Sequence, residues 1–168
     1  MNPLVREAVE IKKDIGDVVL IGAASVMLHT KTGRSSKDLD FALTAELSDE
    51  ALLNKGYIKF ADKRDSWQTP RHFKVDFFRK DVGDIPIKSI FDMSTIIQVD
   101  AKNTLGVISL ECLIVTKSRA NRPADREDLH LIAKKRFNEI DWNIIKSISK
   151  SGMEFETMRK NMKFYHDN

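Results

Sequence analysis

Two aspartates, Asp38 and Asp40, stand two residues apart in a short segment of alternating acidic and apolar residues. In a β-strand, such residues point to the same face, with Cα atoms about 6.5 to 7 Å apart. Two carboxylates at this distance repel each other, and each raises the pKa of the other unless a cation lies between them. Magnesium takes oxygen ligands and would remove that repulsion. The pair therefore indicates a magnesium site, although exposed strands and turns often carry an Asp-x-Asp without any such role.

A third acid, Asp76, lies within an otherwise apolar segment, residues 75–78. A carboxylate among such neighbours is costly to bury unless it is paired or binds a metal. The simpler alternative is an edge-strand acid, or an ion-pair partner for Lys74 or Arg79. We expect Asp76 to converge with Asp38 and Asp40 on one cleft, although it lies far from them along the chain.

Gly22 lies between the apolar segment 18–21 and residues 23–29, whose composition is helical. This order predicts a strand, a turn and a helix start. The free amides and the positive dipole end of a helix start suit a phosphate group. The turn at Gly22 is therefore a candidate phosphate-binding site. The alternative is that the glycine serves only the turn.

Strands and helices alternate in the first part of the chain, and helices alone follow. Strands are predicted at residues 17–21, 38–43, 57–61, 66–69, 73–78, 95–100 and 105–110. Helices are predicted at 3–14, 23–29, from the N-cap Ser48 to Gly56, and at 110–120, 123–136, 141–149 and 154–165. This order indicates an α+β fold, with a mixed sheet flanked by helices over residues 1–109 and a C-terminal helical subdomain over 110–168.

In this order, the glycine turn, the acid-x-acid strand and the later third acid resemble the nucleotidyltransferase superfamily, which includes DNA polymerase β-like enzymes. The run from Ile21 to Phe41 is especially similar to the AbiEii-type toxin branch and to related nucleotidyltransferase-like proteins. Its matching residues there are Arg34, Ser36, Asp38, Asp40 and Phe41. A second block looks like the downstream helix pair of that branch, through Lys117, Ala120, Arg122, Asp125 and Asp128. The resemblance covers residues 17–136.

The resemblance implies a nucleotidyltransferase-like sheet and a metal-dependent transfer of an NMP from an NTP to an acceptor hydroxyl. Asp38, Asp40 and Asp76 would be the catalytic residues and would hold two Mg²⁺ ions, about 3.5 to 4 Å apart in such sites. The implied nucleotide-binding residues are Gly22, Ala23, Ser25, Arg34, Ser36 and Lys117. For Lys117, the alternative is a structural ion pair with an acid such as Glu111 or Asp76. For Arg122, Asp125 and Asp128, ion pairs between two helices are at least as well supported as catalysis.

One position departs from the pattern, because Ala23 follows Gly22 where the superfamily usually has a second glycine or a serine. The methyl group of Ala23 would crowd a triphosphate unless the helix has already begun there. This departure favours a second hypothesis, a non-catalytic nucleotide-binding or interaction module that is one component of a toxin–antitoxin pair. The acceptor (a tRNA end, a protein or a small molecule) and a cognate antitoxin as partner are not identified by the sequence.

Composition excludes several other classes of protein. The 168 residues carry a net charge of +3, which by itself does not indicate nucleic-acid binding. The apolar runs are shorter than the roughly 18 to 20 residues that span a bilayer, and the single cysteine, Cys112, fits a reducing compartment. We therefore expect a cytoplasmic protein without a membrane segment. The four histidines and the cysteine lack zinc-like spacing.

Overall fold

The computed structural model describes residues 2–33, 36–44, 47–61 and 65–168, and its fold is α+β, as the sequence predicts. The strands are β1 (Val18–Ile21), β2 (Asp38–Leu43), β3 (Ile58–Lys59), β4 (Ser66–Gln68), β5 (Lys74–Phe78), β6 (Asp81–Val82), β7 (Ile85–Pro86), β8 (Thr95–Gln98) and β9 (Thr104–Val107). The helices are α1 (Pro3–Ile15), α2 (Gly22–Thr30), α3 (Asp49–Asn54), α4 (Ile87–Asp92), α5 (Leu110–Ala120), α6 (Pro123–Arg136), α7 (Trp142–Ile148) and α8 (Gly152–Asp167), with a 3-10 turn at Phe137–Glu139.

Seven of the described strands form one mixed sheet, in the order β3-β4-β5-β2-β1-β9-β8. The central strands β1 and β2 are antiparallel, whereas β2 runs parallel to β5 and β1 runs parallel to β9. Parallel neighbours begin at the same edge of a sheet, and an antiparallel neighbour ends there. The starts of β2 and β5 therefore meet the end of β1 and the first turn of α2 at one edge.

Several helices begin at a short polar side chain that accepts hydrogen bonds from free backbone amides. Ser48 caps α3 as predicted, because its side chain accepts from the amide of Ala51. Ser109, Asp141 and Ser151 do the same for α5, α7 and α8. Capping at Ser109 fixes where β9 gives way to α5, and so fixes which face of α5 points back at the sheet.

The sheet and the helices share a continuous apolar core. All four residues of β1 are buried, and α5 is buried from Leu110 to Lys117. Apolar residues of β1, β2, β9, α5 and α6 belong to the same cluster. The division of the chain into two parts at residue 110 stays a prediction. The apolar packing is continuous across that division. In the part of the chain that the structure describes, no helix is long and apolar enough to cross a membrane.

The predicted helices and most strands agree with the observed ones to within about three residues, but two regions differ. The strand expected at 57–61 is only Ile58–Lys59. The β6–β7 hairpin and α4 were not predicted at all. Gly83 and Asp84 join β6 to β7 and both have positive φ, +54° and +62°. Such a two-residue Gly-Asp turn is a recognised hairpin signal, so the hairpin could have been found from the sequence.

Candidate active site

Asp38, Asp40 and Asp76 lie together at one edge of the sheet. In the parallel register of β2 with β5, Asp40 pairs with Asp76 and Asp38 pairs with Lys74. Because residues two apart in a strand point to the same face, all four side chains project from one face. They line a single cleft of about 730 Å³, a size typical of small-molecule sites, which enclose about 300 to 1,000 Å³.

Three other segments form the remaining walls of this cleft. The first is the turn after β1, with Ile21, Gly22 and Ala23. The second is the β6–β7 hairpin, through Val82, Gly83 and Asp84. The third is the face of α5 from Thr116 to Ala120, together with the start of α6. The cleft therefore lies between the sheet edge that carries the acids and a helix pair rich in cations.

Gly22 is required by its contact with Asp40. Its φ is +67°, and a Cβ at this position would lie 2.1 Å from Asp40 Oδ2. The antiparallel register of β1 with β2 causes this approach, because Ile21 pairs with Asp40. Ser25 is fully buried and donates a hydrogen bond to the carbonyl of Gly22 at 2.7 Å. Ala23 lines the cleft, whereas Ser25 lies beneath it and supports the turn.

The surroundings of Asp40 disfavour its ionisation. Burial raises the pKa of Asp40 to about 6, and the carboxylates of Asp76 and Asp38 act in the same direction. The ammonium groups of Lys117 and Lys74 oppose the rise without cancelling it. The positive charge near Asp40 is therefore too small to offset burial and the neighbouring carboxylates.

Asp76 is held from two sides. The hydroxyl of Ser66, which pairs with Asp76 in the β4–β5 register, donates to Asp76 Oδ1. Lys74 Nζ lies 3.7 Å from Asp76 Oδ2 and 3.5 Å from Asp38 Oδ2. An ammonium group thus stands between two of the three acids. Within the described ranges, no group of three or more His, Cys, Asp or Glu side chains is arranged to hold a metal ion as it stands.

Lys117 is held by two buried carboxylates of α6. Its Nζ lies 2.9 Å from Asp125 Oδ1 and 2.8 Å from Asp128 Oδ2, and none of the three side chains is more than 9% exposed. Arg122 Nε adds a contact of 2.6 Å to Asp125 Oδ2. The ion-pair interpretation of this block agrees with the geometry, but the acids that Lys117 contacts are Asp125 and Asp128 rather than Glu111 or Asp76. Lys117 still lines the cleft beside Asp40.

The loop before β2 supplies one further candidate that the structure places in the cleft. Ser36 lines the cleft, and its hydroxyl donates to the carbonyl of Asp38 at 2.9 Å. This bond fixes the backbone at the first acid. The predicted phosphate-binding residue Arg34 lies outside the described residues.

Three of the side chains that hold the acids or the facing wall in place were not assigned to the site from the sequence. Ser66 and Lys74 contact the acids, as described above, and Arg119 braces the opposite wall. Arg119 Nη1 donates to the carbonyl of Gly83 at 2.6 Å, and its Nε donates to Glu154 Oε1 at 2.8 Å. Lys74 was considered only as an ion-pair partner of Asp76, a contact that the structure shows, although its position two residues before Asp76 also places it on the same face. Ser66 depends on a strand register that no local pattern reveals.

The mixed sheet, the glycine turn and the acids on β2 and β5 together define a nucleotidyltransferase-type protein. The chain belongs to the family described as "nucleotidyl transferase of unknown function (DUF2204)", whose model matches residues 3–168. Membership implies an NTP as substrate. No match is found among the curated proteins.

Two solved structures from Helicobacter pylori have a similar fold. A nucleotidyltransferase candidate is 15% identical, with a TM-score of 0.54 over 98% of this chain and 92% of its own. The protein JHP933 is 16% identical, with a TM-score of 0.55 over 98% and 89%. The predicted membership of the nucleotidyltransferase superfamily is thus confirmed by the family match, and the fold by these structures. The AbiEii-type branch, and with it an antitoxin partner, stays a prediction.

Substitution of Gly22 should disturb Asp40 directly. Gly22→Ala adds a methyl group that overlaps Asp40 Oδ2, at a φ that L-residues rarely adopt. We expect a loss of about 2 to 3 kcal/mol in the free energy of unfolding, measured by urea denaturation. Gly33→Ala is the control, because a Cβ there meets nothing within 4 Å. Equal stability of the two variants would contradict the contact between Gly22 and Asp40.

The pKa of Asp40 predicts how stability depends on pH when divalent cations are absent. The folded value of about 6 lies above an unfolded value of about 3.9, so between these values only the native state keeps the proton. The free energy of unfolding therefore declines as pH rises from about 4 to about 6, by about 2 to 3 kcal/mol in total. In Asp40→Asn this decline of the free energy of unfolding with pH should disappear. Asp92→Asn, at an exposed acid of α4, should keep the pH dependence of the wild type. Identical urea-denaturation profiles for wild type and Asp40→Asn would disprove the assignment.

Removal of the Lys117 charge should destabilise the fold strongly. Lys117→Met leaves two buried carboxylates without this cation, and breaking a buried pair in this way typically costs about 3 to 5 kcal/mol. Lys88→Met is a matched control, because Lys88 is 84% exposed and pairs with Asp92 of its own helix. That variant should lose at most about 0.5 kcal/mol. A similar melting temperature for both variants would mean that the ion pairs of Lys117 contribute little.

Proposed function

We propose that this chain is a metal-dependent nucleotidyltransferase, which moves the NMP of an NTP to an acceptor hydroxyl and releases pyrophosphate. The observation that carries the proposal is the register of β2 with β5, which sets Asp40 beside Asp76, with Asp38 on the same face. Three carboxylates that converge on a cleft of this size are costly unless cations accompany the ligand. Membership of a nucleotidyl transferase family supports the same conclusion.

The acids fit Mg²⁺ by their chemistry. Magnesium prefers oxygen ligands and is usually bound through one or two carboxylates together with phosphate oxygens of the substrate. A cation position near Asp38 and Asp76 already exists, because Lys74 Nζ lies within 4 Å of an oxygen of each. Magnesium can use these donors only after the Lys74 ammonium moves aside. When bound, a pair of ions in such a site supplies charge stabilisation for the attacking and leaving oxygens.

The acids of the cleft would have separate roles in the transfer of the NMP. The acceptor oxygen forms a bond to the α-phosphorus while the bond to the β-phosphate oxygen breaks and the electron pair leaves with pyrophosphate. Asp76 is suited to take the proton of the acceptor hydroxyl at Oδ2, because Ser66 already holds Oδ1. Asp38 and Asp40 would hold the metal ions, and Asp76 would also help to ligate the ion nearest the acceptor hydroxyl. In-line attack requires little else than such positioning and charge stabilisation.

The glycine turn is suited to the phosphates of the NTP. Gly22 and Ala23 line the cleft at the start of α2, where backbone amides without helical partners can donate to phosphate oxygens. Ser25 contributes by holding the turn through the Gly22 carbonyl. Ser36 and Lys117 line the same cleft, and the family resemblance assigns Arg34 to the phosphates as well. The acceptor hydroxyl would belong to an RNA end, a protein or a small molecule.

Nucleotide binding tests the role of the acids without requiring the acceptor. The double variant Asp38→Asn, Asp40→Asn should lose Mg²⁺-dependent binding of α,β-methylene-ATP in titration calorimetry, because two of the three proposed metal-holding carboxylates are gone. Its stability without metal should hold or rise, since two repelling charges are removed. A double control, Asp92→Asn with Glu156→Gln, removes two acids outside the cleft and should bind as the wild type does. Equal affinity in the acid variant would rule out these carboxylates as the site.

The reaction itself is tested with labelled NTPs and total cell extract. Transfer of label to an acceptor from the α-phosphate and not from the γ-phosphate is the expected result, and the Asp38, Asp40 double variant should transfer neither. Transfer from the γ position would indicate a kinase instead. Absence of transfer together with tight NTP binding would favour the second candidate, a non-catalytic nucleotide-binding module. The Lys74 ammonium between Asp38 and Asp76 is the observation that favours this candidate.

A further inference from the structure

Lys74 is the cation in the cleft whose partners are the proposed metal ligands themselves. It begins β5, pairs with Asp38 across the β2–β5 register and stands two residues before Asp76. Its Nζ reaches both carboxylates, at 3.5 Å and 3.7 Å. A charged ammonium is therefore held among the acids.

The contacts of Lys74 are weaker than those of the other cations that line the described part of the cleft. Both exceed the 2.7 to 3.2 Å of an ordinary N–H···O hydrogen bond, and the Lys74 side chain is 43% exposed. Lys117, by contrast, is only 9% exposed and has two acids within 2.9 Å. Exposed ion pairs contribute little to stability, whereas breaking a buried one leaves an uncompensated charge. Lys74 is thus the cation that can leave its acids at small cost.

The remaining cations of the cleft have partners that do not depend on a metal. Arg119 is bound to Glu154 and to the carbonyl of Gly83. Arg122 is bound to Asp125. Of the described cations that line the cleft, a divalent ion at Asp38 and Asp76 would compete with Lys74 alone. Its entry would free one ammonium group beside the position of the incoming phosphates.

We propose that Lys74 is an internal counter-ion of the cleft, which neutralises Asp38 and Asp76 before loading, yields to the metal, and then binds the triphosphate. The inference rests on the proposed function. Lysine binds phosphate as a movable point charge on a long stem, which suits a change of partner. One side chain thereby limits the repulsion among the acids in the empty state and adds affinity in the loaded state.

Lys74→Met separates the two roles, because it keeps much of the stem and removes the charge. Without nucleotide, the variant should bind Mn²⁺ about five- to tenfold more tightly than the wild type, as measured by electron paramagnetic resonance of free Mn²⁺. With Mg²⁺ present, its affinity for α,β-methylene-ATP should fall by about the same factor. Both factors correspond to one unit charge acting over about 4 Å near water. A lysine with only a structural role would not shift Mn²⁺ affinity and nucleotide affinity in opposite directions when it is replaced.

Two further variants make the test decisive. Lys74→Arg keeps the charge and should restore nucleotide affinity to near the wild-type value, while Mn²⁺ affinity without nucleotide stays low. Lys88→Met, at an exposed lysine of α4, should change neither quantity. Lys74→Met with wild-type Mn²⁺ affinity, or with unchanged nucleotide affinity, would overturn the inference.

The same titrations distinguish failure of this inference from failure of the proposed function. If neither the wild type nor Lys74→Met binds Mn²⁺, the acids are not a metal site. The proposed metal-dependent function and the counter-ion role of Lys74 are then both wrong. If the wild type binds Mn²⁺ through Asp38 and Asp40 while Lys74→Met binds it equally well, only the counter-ion role falls. If Lys74→Met alone binds Mn²⁺, the lysine is the competitor of the metal, as we infer.

Discussion

The parallel pairing of β2 with β5 forces Asp40 and Asp76 into neighbouring positions on one face of the sheet. Two like charges at this spacing destabilise each other, and much of the surrounding structure compensates for them. Lys74 enters between two of the acids, and Ser66 donates a hydrogen bond to Asp76. Gly22 has no side chain and so leaves space for Asp40. The residues around the acids are thus explained by a single electrostatic constraint.

Local pattern predicts the parts of the site that lie within one element. The same-face placement of Asp38 and Asp40 follows from the period of a strand, and the turn at Gly22 follows from a strand that meets a helix. The register between strands cannot be obtained in this way, because residues 40 and 76 are paired by the packing of the whole sheet. The sequence therefore identified the three acids but did not identify Ser66, whose contact with Asp76 depends on a second register.

The helical block illustrates the same limit at longer range. Lys117, Arg122, Asp125 and Asp128 were recognised as a group, yet the choice of ion-pair partners depends on how α5 and α6 pack. The structure pairs Lys117 with both aspartates at a position that is nearly inaccessible to water. The main effect of a buried ammonium that pairs with two carboxylates is to hold the two helices together. Its field still reaches Asp40, where it lowers a pKa that burial raises, so the structural ion pairs and the site are coupled.

Charge balance in the cleft constrains any ligand that enters it. Among the described residues that line it, five are acids (Asp38, Asp40, Asp76, Asp84 and Asp125) and four are cations (Lys74, Lys117, Arg119 and Arg122). Three of those cations are already bound to acids or carbonyls outside the group of Asp38, Asp40 and Asp76. A bare triphosphate would therefore meet a surface with no excess of positive charge. Divalent ions would remove this barrier, because they neutralise the three acids and the phosphates together, and they would free the Lys74 ammonium that the acids had held.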